Sequence, residues 1–231
     1  MLTKRWISDL LDLIFPRHCI VCGEILSGEE RDICLNCLVR MPLINDRIFA
    51  ELERLFLGIV PIERTASYMC YRKRSSYNRL LHYIKYKGYP EVATRLAKSA
   101  AVELKEKGFF DGIEAIVPLP LSKKKYRKRG YNQCDYIAQG IAEVTNIPVI
   151  NDCIVRVKAN ETQTHKSREE RWKNVEGIFS LVETEKIRER HILLIDDVLT
   201  TGATLANCAK ELQKCGCKVS IFTLAYATDS L

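Results

Sequence analysis

Apolar residues recur every three or four positions over residues 46–57, where Ile48, Leu52, Leu55 and Phe56 share one face, so the spacing predicts an amphipathic helix. The same period predicts helices over 76–86, 90–107, 132–144 and 202–212. In the second, Val92, Leu96, Ala100 and Leu104 form the core face and Gly108 is the expected stop. Near the start, Trp6, Leu10, Leu13 and Ile14 suggest another amphipathic helix, packed on its own protein. Short apolar runs at 65–71, 113–117, 149–157, 177–182, 192–195 and 218–225 read as strands, the run at 113–117 as an inner one. Strand and helix alternate, which predicts an α/β fold with an open parallel sheet flanked by helices. In such sheets ligands sit beyond the C-terminal strand ends, and three polar loops follow strands here: 118–130, 158–174 and 196–202.

Composition adds location and charge. No apolar run reaches ~18 residues, so no membrane span is expected. Asp9 and Asp12 interrupt the first apolar stretch and no small-residue cleavage site follows, so a signal peptide is not expected and a cytoplasmic protein is. The net charge of +7 is concentrated. Residues 61–130 carry 17 basic and 6 acidic side chains, whereas both flanking segments are slightly acidic. An anion-facing surface follows, for phosphates, pyrophosphate or nucleic acid.

Four of the ten cysteines form two close pairs, Cys19-x-x-Cys22 and Cys34-x-x-Cys37. Each pair can present two thiolates to one ion, so the spacing predicts a closed tetrahedral S4 site, with structural zinc as the first reading and a redox pair or iron–sulfur cluster as alternatives. Residues 1–45 would then be an N-terminal helix and a small zinc-ribbon-like module, and 46–231 the main domain. His18 is a candidate hydrogen-bond donor to the site or a surface histidine. Cys70, Cys134, Cys153, Cys208, Cys215 and Cys217 lack paired spacing and read mostly as small buried hydrophobes.

Three loops carry the chemistry. Asp196 and Asp197 end an apolar strand, and Thr200, Thr201, Gly202, Ala203 and Thr204 then enter a helix. Free amides at that helix start suit a phosphate, with Gly202 permitting close approach. The alternative is Thr200 or Thr201 as an ordinary cap. In the loop from Pro118 to Gln133, six of the seven residues 123–129 are basic, beginning Lys123, Lys124, Lys125. These side chains could hold a pyrophosphate, line a nucleic acid or simply face solvent, and Pro118 and Pro120 argue for a fixed loop shape. Asn132 and Gln133 begin the next helix as caps or ligand contacts. The long loop, with Lys166, Arg168 and Arg171, could close over a charged intermediate. His165 there is a weak general-base candidate, and Trp172 an anchor for the loop base.

These residues resemble a known class. ILLIDDVLTTGAT, residues 192–204, is similar to the 5-phosphoribosyl-1-pyrophosphate (PRPP) motif of the type I phosphoribosyltransferases. The four-cysteine finger, the Pro118-Leu119-Pro120-Leu121 loop running to Arg129-Gly130-Tyr131-Asn132-Gln133, and Gln163-Thr164 with Arg168, Arg171 and Asn174 resemble the ComF family over nearly the whole chain. The resemblance implies a type I phosphoribosyltransferase-like fold. It implies that Asp196 and Asp197 meet the ribose hydroxyls, directly or with Mg2+, and that residues 200–204 hold the 5-phosphate. The stretch with Leu119, Pro120, Lys123 and Lys124 would face pyrophosphate, and residues 158–174 would form a flexible catalytic hood with Lys166 and Arg168. An Asp-Asp pair in place of Glu-Asp is a minor departure. The resemblance further implies a link to natural competence, with imported single-stranded DNA and a helicase or channel of the uptake machinery as partners.

Two functions are therefore expected as rivals. One is transfer of ribose 5-phosphate from PRPP to an unknown acceptor with release of pyrophosphate, needing no covalent nucleophile. The other is a non-catalytic module that binds a phosphoribosyl ligand or single-stranded DNA, with Tyr68, Tyr71, Tyr77, Tyr83, Tyr86 and Tyr89 between cations as stacking platforms. The alternative for those tyrosines is packing of helices on the sheet.

Overall fold

The described residues, 15–72, 74–157 and 177–227 of a computed structural model, form seven α-helices, a 3-10 turn at Thr184–Lys186 and six strands. In chain order these are α1 (Leu35–Val39), α2 (Asp46–Arg54), β1 (Thr65–Tyr71), α3 (Asn78–Tyr86), α4 (Glu91–Glu106), β2 (Ala115–Pro118) and α5 (Lys123–Arg129). There follow α6 (Gln133–Thr145), β3 (Ile154–Arg156), β4 (Phe179–Leu181), β5 (His191–Leu199), α7 (Ala203–Gln213) and β6 (Lys218–Ala227). The segment with Trp6, Leu10, Leu13 and Ile14 lies outside the described residues, as does the whole 158–174 loop with Gln163, Thr164, His165, Lys166, Arg168, Arg171, Trp172 and Asn174.

Four strands make one parallel sheet in the order β1-β6-β5-β2. Ile192, Leu193, Leu194 and Ile195 of β5 are fully buried, as a strand covered on both faces requires. The expected α/β architecture is thus observed. The helix faces agree too: Val92, Leu96, Ala100 and Leu104 are all buried on α4. Five of the six unpaired cysteines are buried and Cys215 is half-buried.

Three expectations are corrected. Residues 149–157 do not form one strand: Val149 makes an isolated parallel bridge to Ile116, and only Ile154–Arg156 pairs, antiparallel with β4. The basic run is not a loop but a helix, α5. Lys and Arg are good helix formers, Ser122 Oγ accepts from Lys125 N at 3.4 Å as a cap, and Gly130 ends the helix at φ 82°. Finally, β5 does not end at Ile195. It stays in register with β6 through Asp196↔Thr223, Val198↔Ala225 and Leu199↔Tyr226.

The cysteine ribbon docks on this domain through named bonds. Tyr77 donates its hydroxyl to Cys37 O at 2.7 Å, Arg79 donates to Val21 O at 3.2 Å, and Arg95 pairs with Asp32. Leu43 bridges antiparallel to Met69 and so covers the outer edge of β1, which would otherwise be free to pair with another chain.

Helices α4 and α6 pack closely at Gly140, where a Cβ would stand 2.4 Å from Thr94 O and 2.9 Å from Ala97 Cβ. Gly to Ala inside a helix ordinarily stabilises by roughly 0.5–1 kcal/mol. Here overlap reverses the sign, and Gly140→Ala should destabilise by about 1–3 kcal/mol in urea unfolding.

Candidate functional site

Past Ile195 the central strand loses one neighbour. β2 pairs with residues 192–195 only, and the last link on that side is Leu119 N donating to Ile195 O at 2.8 Å. Asp196 and Asp197 therefore protrude beyond β2 while β6 still holds them straight. Strand alternation sends their side chains to opposite faces. Asp197 is 5% exposed, and its Oδ2 lies 2.9 Å from Lys85 Nζ at the end of α3. That oxygen accepts no hydrogen bond of good geometry, so the ammonium compensates it mainly by charge. Asp196 is half-buried, and its Oδ1 accepts from Asp197 N at 2.8 Å and from the Cys134 thiol at 3.5 Å.

Desolvation pushes the Asp196 carboxyl up to about 7, and the Asp197 charge adds to it. Asp197 N, Lys85 and the Cys134 thiol pull the other way. Cys134 is raised well above the thiol range by burial and then by the two aspartates, so it stays protonated and donates. For Lys85 burial is the largest influence and favours the neutral form, but the Asp197 charge, its hydrogen bonding and the Asp196 charge together outweigh it and hold the ammonium above its ordinary value.

Further cations converge on the pair. Lys125 is lowered by desolvation and then by the charges of Arg156, Arg129 and Lys85, although much of its side chain meets solvent. Arg156, at the end of β3, lies 5.6 Å over the Phe179 ring and is lowered by burial, with Asp196 opposing. Its Nε is buried without a hydrogen-bond partner. Lys125 and Arg129 share a face of α5 by their i, i+4 spacing, whereas Lys123 and Lys124 are exposed in its first turn. Arg129 also stacks 5.1 Å from the Tyr86 ring centroid and donates to Gln133 Oε1 at 2.6 Å. A cleft of about 270 Å³ opens here, lined by Lys85, Tyr86, Gly88, Lys128, Arg129 and Tyr131.

After β5, Thr200 is exposed, Thr201 and Thr204 are half-buried, and Gly202 adopts φ 75° as the N-cap of α7. No side chain caps this helix, so neither Thr200 nor Thr201 plays the ordinary role considered above. The first internal bond is Ala206 N to Gly202 O at 2.8 Å, which leaves the amides of Ala203, Thr204 and Leu205 ahead of the helical ladder. Gly202 is required by packing as well as by its φ: a Cβ would meet Phe56 Cε1 at 2.9 Å and Leu55 Cδ2 at 3.2 Å. Leu119 is buried, and its carbonyl accepts from Asn132 Nδ2 at 3.1 Å, while Pro120 is half-buried. Asn132 is the cap of α6, with Oδ1 accepting from Cys134 N at 3.3 Å.

From sequence Lys85 is only one of the cations among the tyrosines, with Arg72, Arg74 and Lys87, and Arg156 is not a candidate. Lys85 is an ordinary cation late in an amphipathic helix, and Arg156 a single arginine in a short strand. Only the fold brings them to the aspartates. Of the six tyrosines, Tyr68 is buried, Tyr71, Tyr77 and Tyr83 are half-buried, and only Tyr86 and Tyr89 are exposed. Most of that series therefore packs the core.

The second site is the ribbon. The sulfurs of Cys19, Cys22, Cys34 and Cys37 all lie within 4.8 Å of one another, with Cys22 Sγ to Cys34 Sγ at 3.7 Å. Sulfurs ~2.3 Å from a tetrahedral ion stand roughly 3.8 Å apart, so the cluster has the shape of a metal site. Burial raises the Cys19 thiol, but the amides of Cys22, Cys34 and Val21 bring it down to about 7. Cys37 is pushed far upward by burial and the three neighbouring sulfurs. Four thiolates this close repel one another until a cation joins them. His18 turns its Nδ1 to Gly23 O at 3.0 Å.

Residues 10–48 match the double zinc ribbon domain and residues 136–230 the phosphoribosyl transferase domain. Competence protein F of Haemophilus influenzae is 39% identical over 116 residues, 49% of this chain and 51% of that protein. Competence protein ComFC of Bacillus subtilis is 29% identical over 209 residues, 89% of this chain and 76% of that protein. The chain is similar to these competence proteins, to ComFC over most of its length. The matched stretch spans about half the length of the Haemophilus relative. A crystal structure of an adenine phosphoribosyltransferase aligns with 66% of this chain and 76% of its own, at 12% identity and a TM-score of 0.42. Among the described residues no helix is long and apolar enough to cross a membrane.

The Asp196 proton sets a pH test. Its carboxyl titrates at about 7 when folded and near 3.8 otherwise, so the folded state binds more protons between those values and stability falls as pH rises through them. Asp196→Asn removes that loss. The variant should gain on the order of 1–3 kcal/mol over wild type at pH 8, shrinking toward zero near pH 4, as read by denaturant titration at each pH.

Proposed function

We propose that this ComF-like protein binds PRPP with Mg2+ beside Asp196 and Asp197 and transfers ribose 5-phosphate to an acceptor with release of pyrophosphate. The carrying observation is the two carboxylates beyond β2, followed at once by a helix start that no side chain caps. A phosphate suits the amides of residues 203–205, with the hydroxyls of Thr200, Thr201 and Thr204 beside them. The acid pair suits ribose hydroxyls, and Asp197 Oδ2, which accepts no hydrogen bond of good geometry, is compensated by the Lys85 ammonium until a ligand takes its place. Mg2+, when bound, would supply charge neutralisation for the diphosphate.

In the reaction, the bond from C1 to pyrophosphate breaks with its electrons leaving on the anion as the acceptor bonds to C1. The chain's own work is electrostatic. The carboxylates favour the positive charge that develops on the sugar, and cations of α5, with Leu119 and Pro120 leading into it, favour the leaving anion. Lys166 and Arg168 are proposed to cover the intermediate from the 158–174 segment. A second reading rests on the Tyr86–Arg129 stack beside exposed Tyr126: binding of single-stranded DNA, with bases on the rings and phosphates along α5. It draws on the word competence in the relatives' names. Salt-sensitive DNA binding that survives substitution of Asp196 and Asp197 would favour it, and pyrophosphate release would favour the transferase.

The ribbon, within a proposed module of residues 1–45, is read as a structural zinc site, since four sulfurs leave no position for a reacting water. Elemental analysis of metal-replete protein should find one zinc per chain, and soluble protein without it would overturn that assignment. Asp197→Asn should weaken Mg-PRPP at least about tenfold, ~1.4 kcal/mol, by calorimetry. An unchanged affinity would overturn the phosphoribosyl site.

A further inference from the structure

One side chain belongs to two places. Lys85 holds Asp197 across 2.9 Å and also lines the cleft that contains Lys128 and Arg129. Its side chain is 22% exposed against 7% for that of Asp197, so it is reachable from the cleft while its partner is not. The cleft has three cations, two tyrosines and a glycine at its walls, and no carboxylate. The acid facing it from behind Lys85 is Asp197, whose Oδ2 has no hydrogen bond to keep it satisfied if the ammonium leaves.

We infer that Lys85 is an exchangeable counter-ion: an anion of the pyrophosphate class entering the cleft takes its ammonium, with Lys128 and Arg129 as further contacts, and so uncovers the Asp197 carboxylate. The inference deepens the phosphoribosyl reading and rests on it for the identity of the anion. Its physical content is competition. One ammonium cannot fully neutralise Asp197 and an incoming diphosphate together, so each holds it at the other's expense. Anion binding is therefore weakened by the fraction of molecules in which Lys85 is committed to Asp197. By reciprocity, an occupied cleft makes Asp197 more available to a cation or to hydroxyls. The arrangement keeps a buried carboxylate compensated while the site is empty and exposes it only when the ligand brings its own partners.

Calorimetric titration of the full chain with inorganic pyrophosphate, metal-free at pH 8 and low salt, tests this. Wild type should bind, and Asp197→Asn, which frees Lys85, should bind about fivefold more tightly. Asp196→Asn removes the same formal charge nearby without releasing Lys85, and should give less than about half that gain. Lys128→Gln should bind about threefold more weakly. Lys85→Met strands a buried carboxylate and can fail to fold, so the double variant Lys85→Met/Asp197→Asn is used in its place, and it should lose the gain of Asp197→Asn. Equal gains in both Asn variants would reduce the effect to general charge and overturn the inference. So would no gain in Asp197→Asn, or no pyrophosphate binding by wild type. Asp197→Asn is expected to weaken Mg-PRPP but tighten metal-free pyrophosphate. Failure of Mg-PRPP to bind, with the pyrophosphate pattern intact, would sink the phosphoribosyl reading and leave the exchange standing.

Discussion

A carboxylate as deeply placed as Asp197 needs a cation, and the Lys85 ammonium at 2.9 Å is the contact around which the site is organised. The need arises from the sheet. β6 carries β5 straight through residues 196–199 while β2 has already stopped, so the acid pair is held rigidly at a crevice edge instead of on a loose turn. Burial of one member follows from strand alternation, since Asp197 must face the helices whichever way Asp196 turns. α3 then has to deliver its terminal lysine to that face.

The surrounding shifts share one direction except at the ion pair. Asp196 moves up, Lys125 and Arg156 move down, and Cys134 moves up, all toward the uncharged form. That is the signature of a desolvated crevice, in which an ionic ligand would meet strengthened interactions. Lys85 shifts toward the charged form, because the two aspartates together outweigh its burial. The first turn of α5 adds to the positive side: it carries lysines and no acid at its dipole-positive end. Such an arrangement costs stability in the empty protein, and a bound anion would offset it.

The ribbon connects to this crevice through α3. Tyr77 and Arg79, at its start, bond to the carbonyls of Cys37 and Val21, and Lys85, near its end, reaches Asp197. One short helix thus links the four-sulfur cluster to the acid pair. A cation in the cluster would relieve the repulsion among its thiolates.

Local pattern was sufficient for much of this molecule. The 3.6-residue period of α4 defines a face that is indeed buried, the apolar run of β5 demands cover on both sides, and the two Cys-x-x-Cys pairs meet because short spacing leaves little else for them to do. Those are near-neighbour constraints, readable without coordinates. Where reading failed, the competing influence was either helix propensity with a serine cap, as in residues 123–129, or the register of a partner strand, as in the extension of β5 to Leu199. The meeting of Lys85, Arg156, Arg129 and the aspartates was decided by tertiary structure alone. Their separation along the chain carries no periodic signal, and a charge in a polar position looks the same whether it faces water or a buried carboxylate.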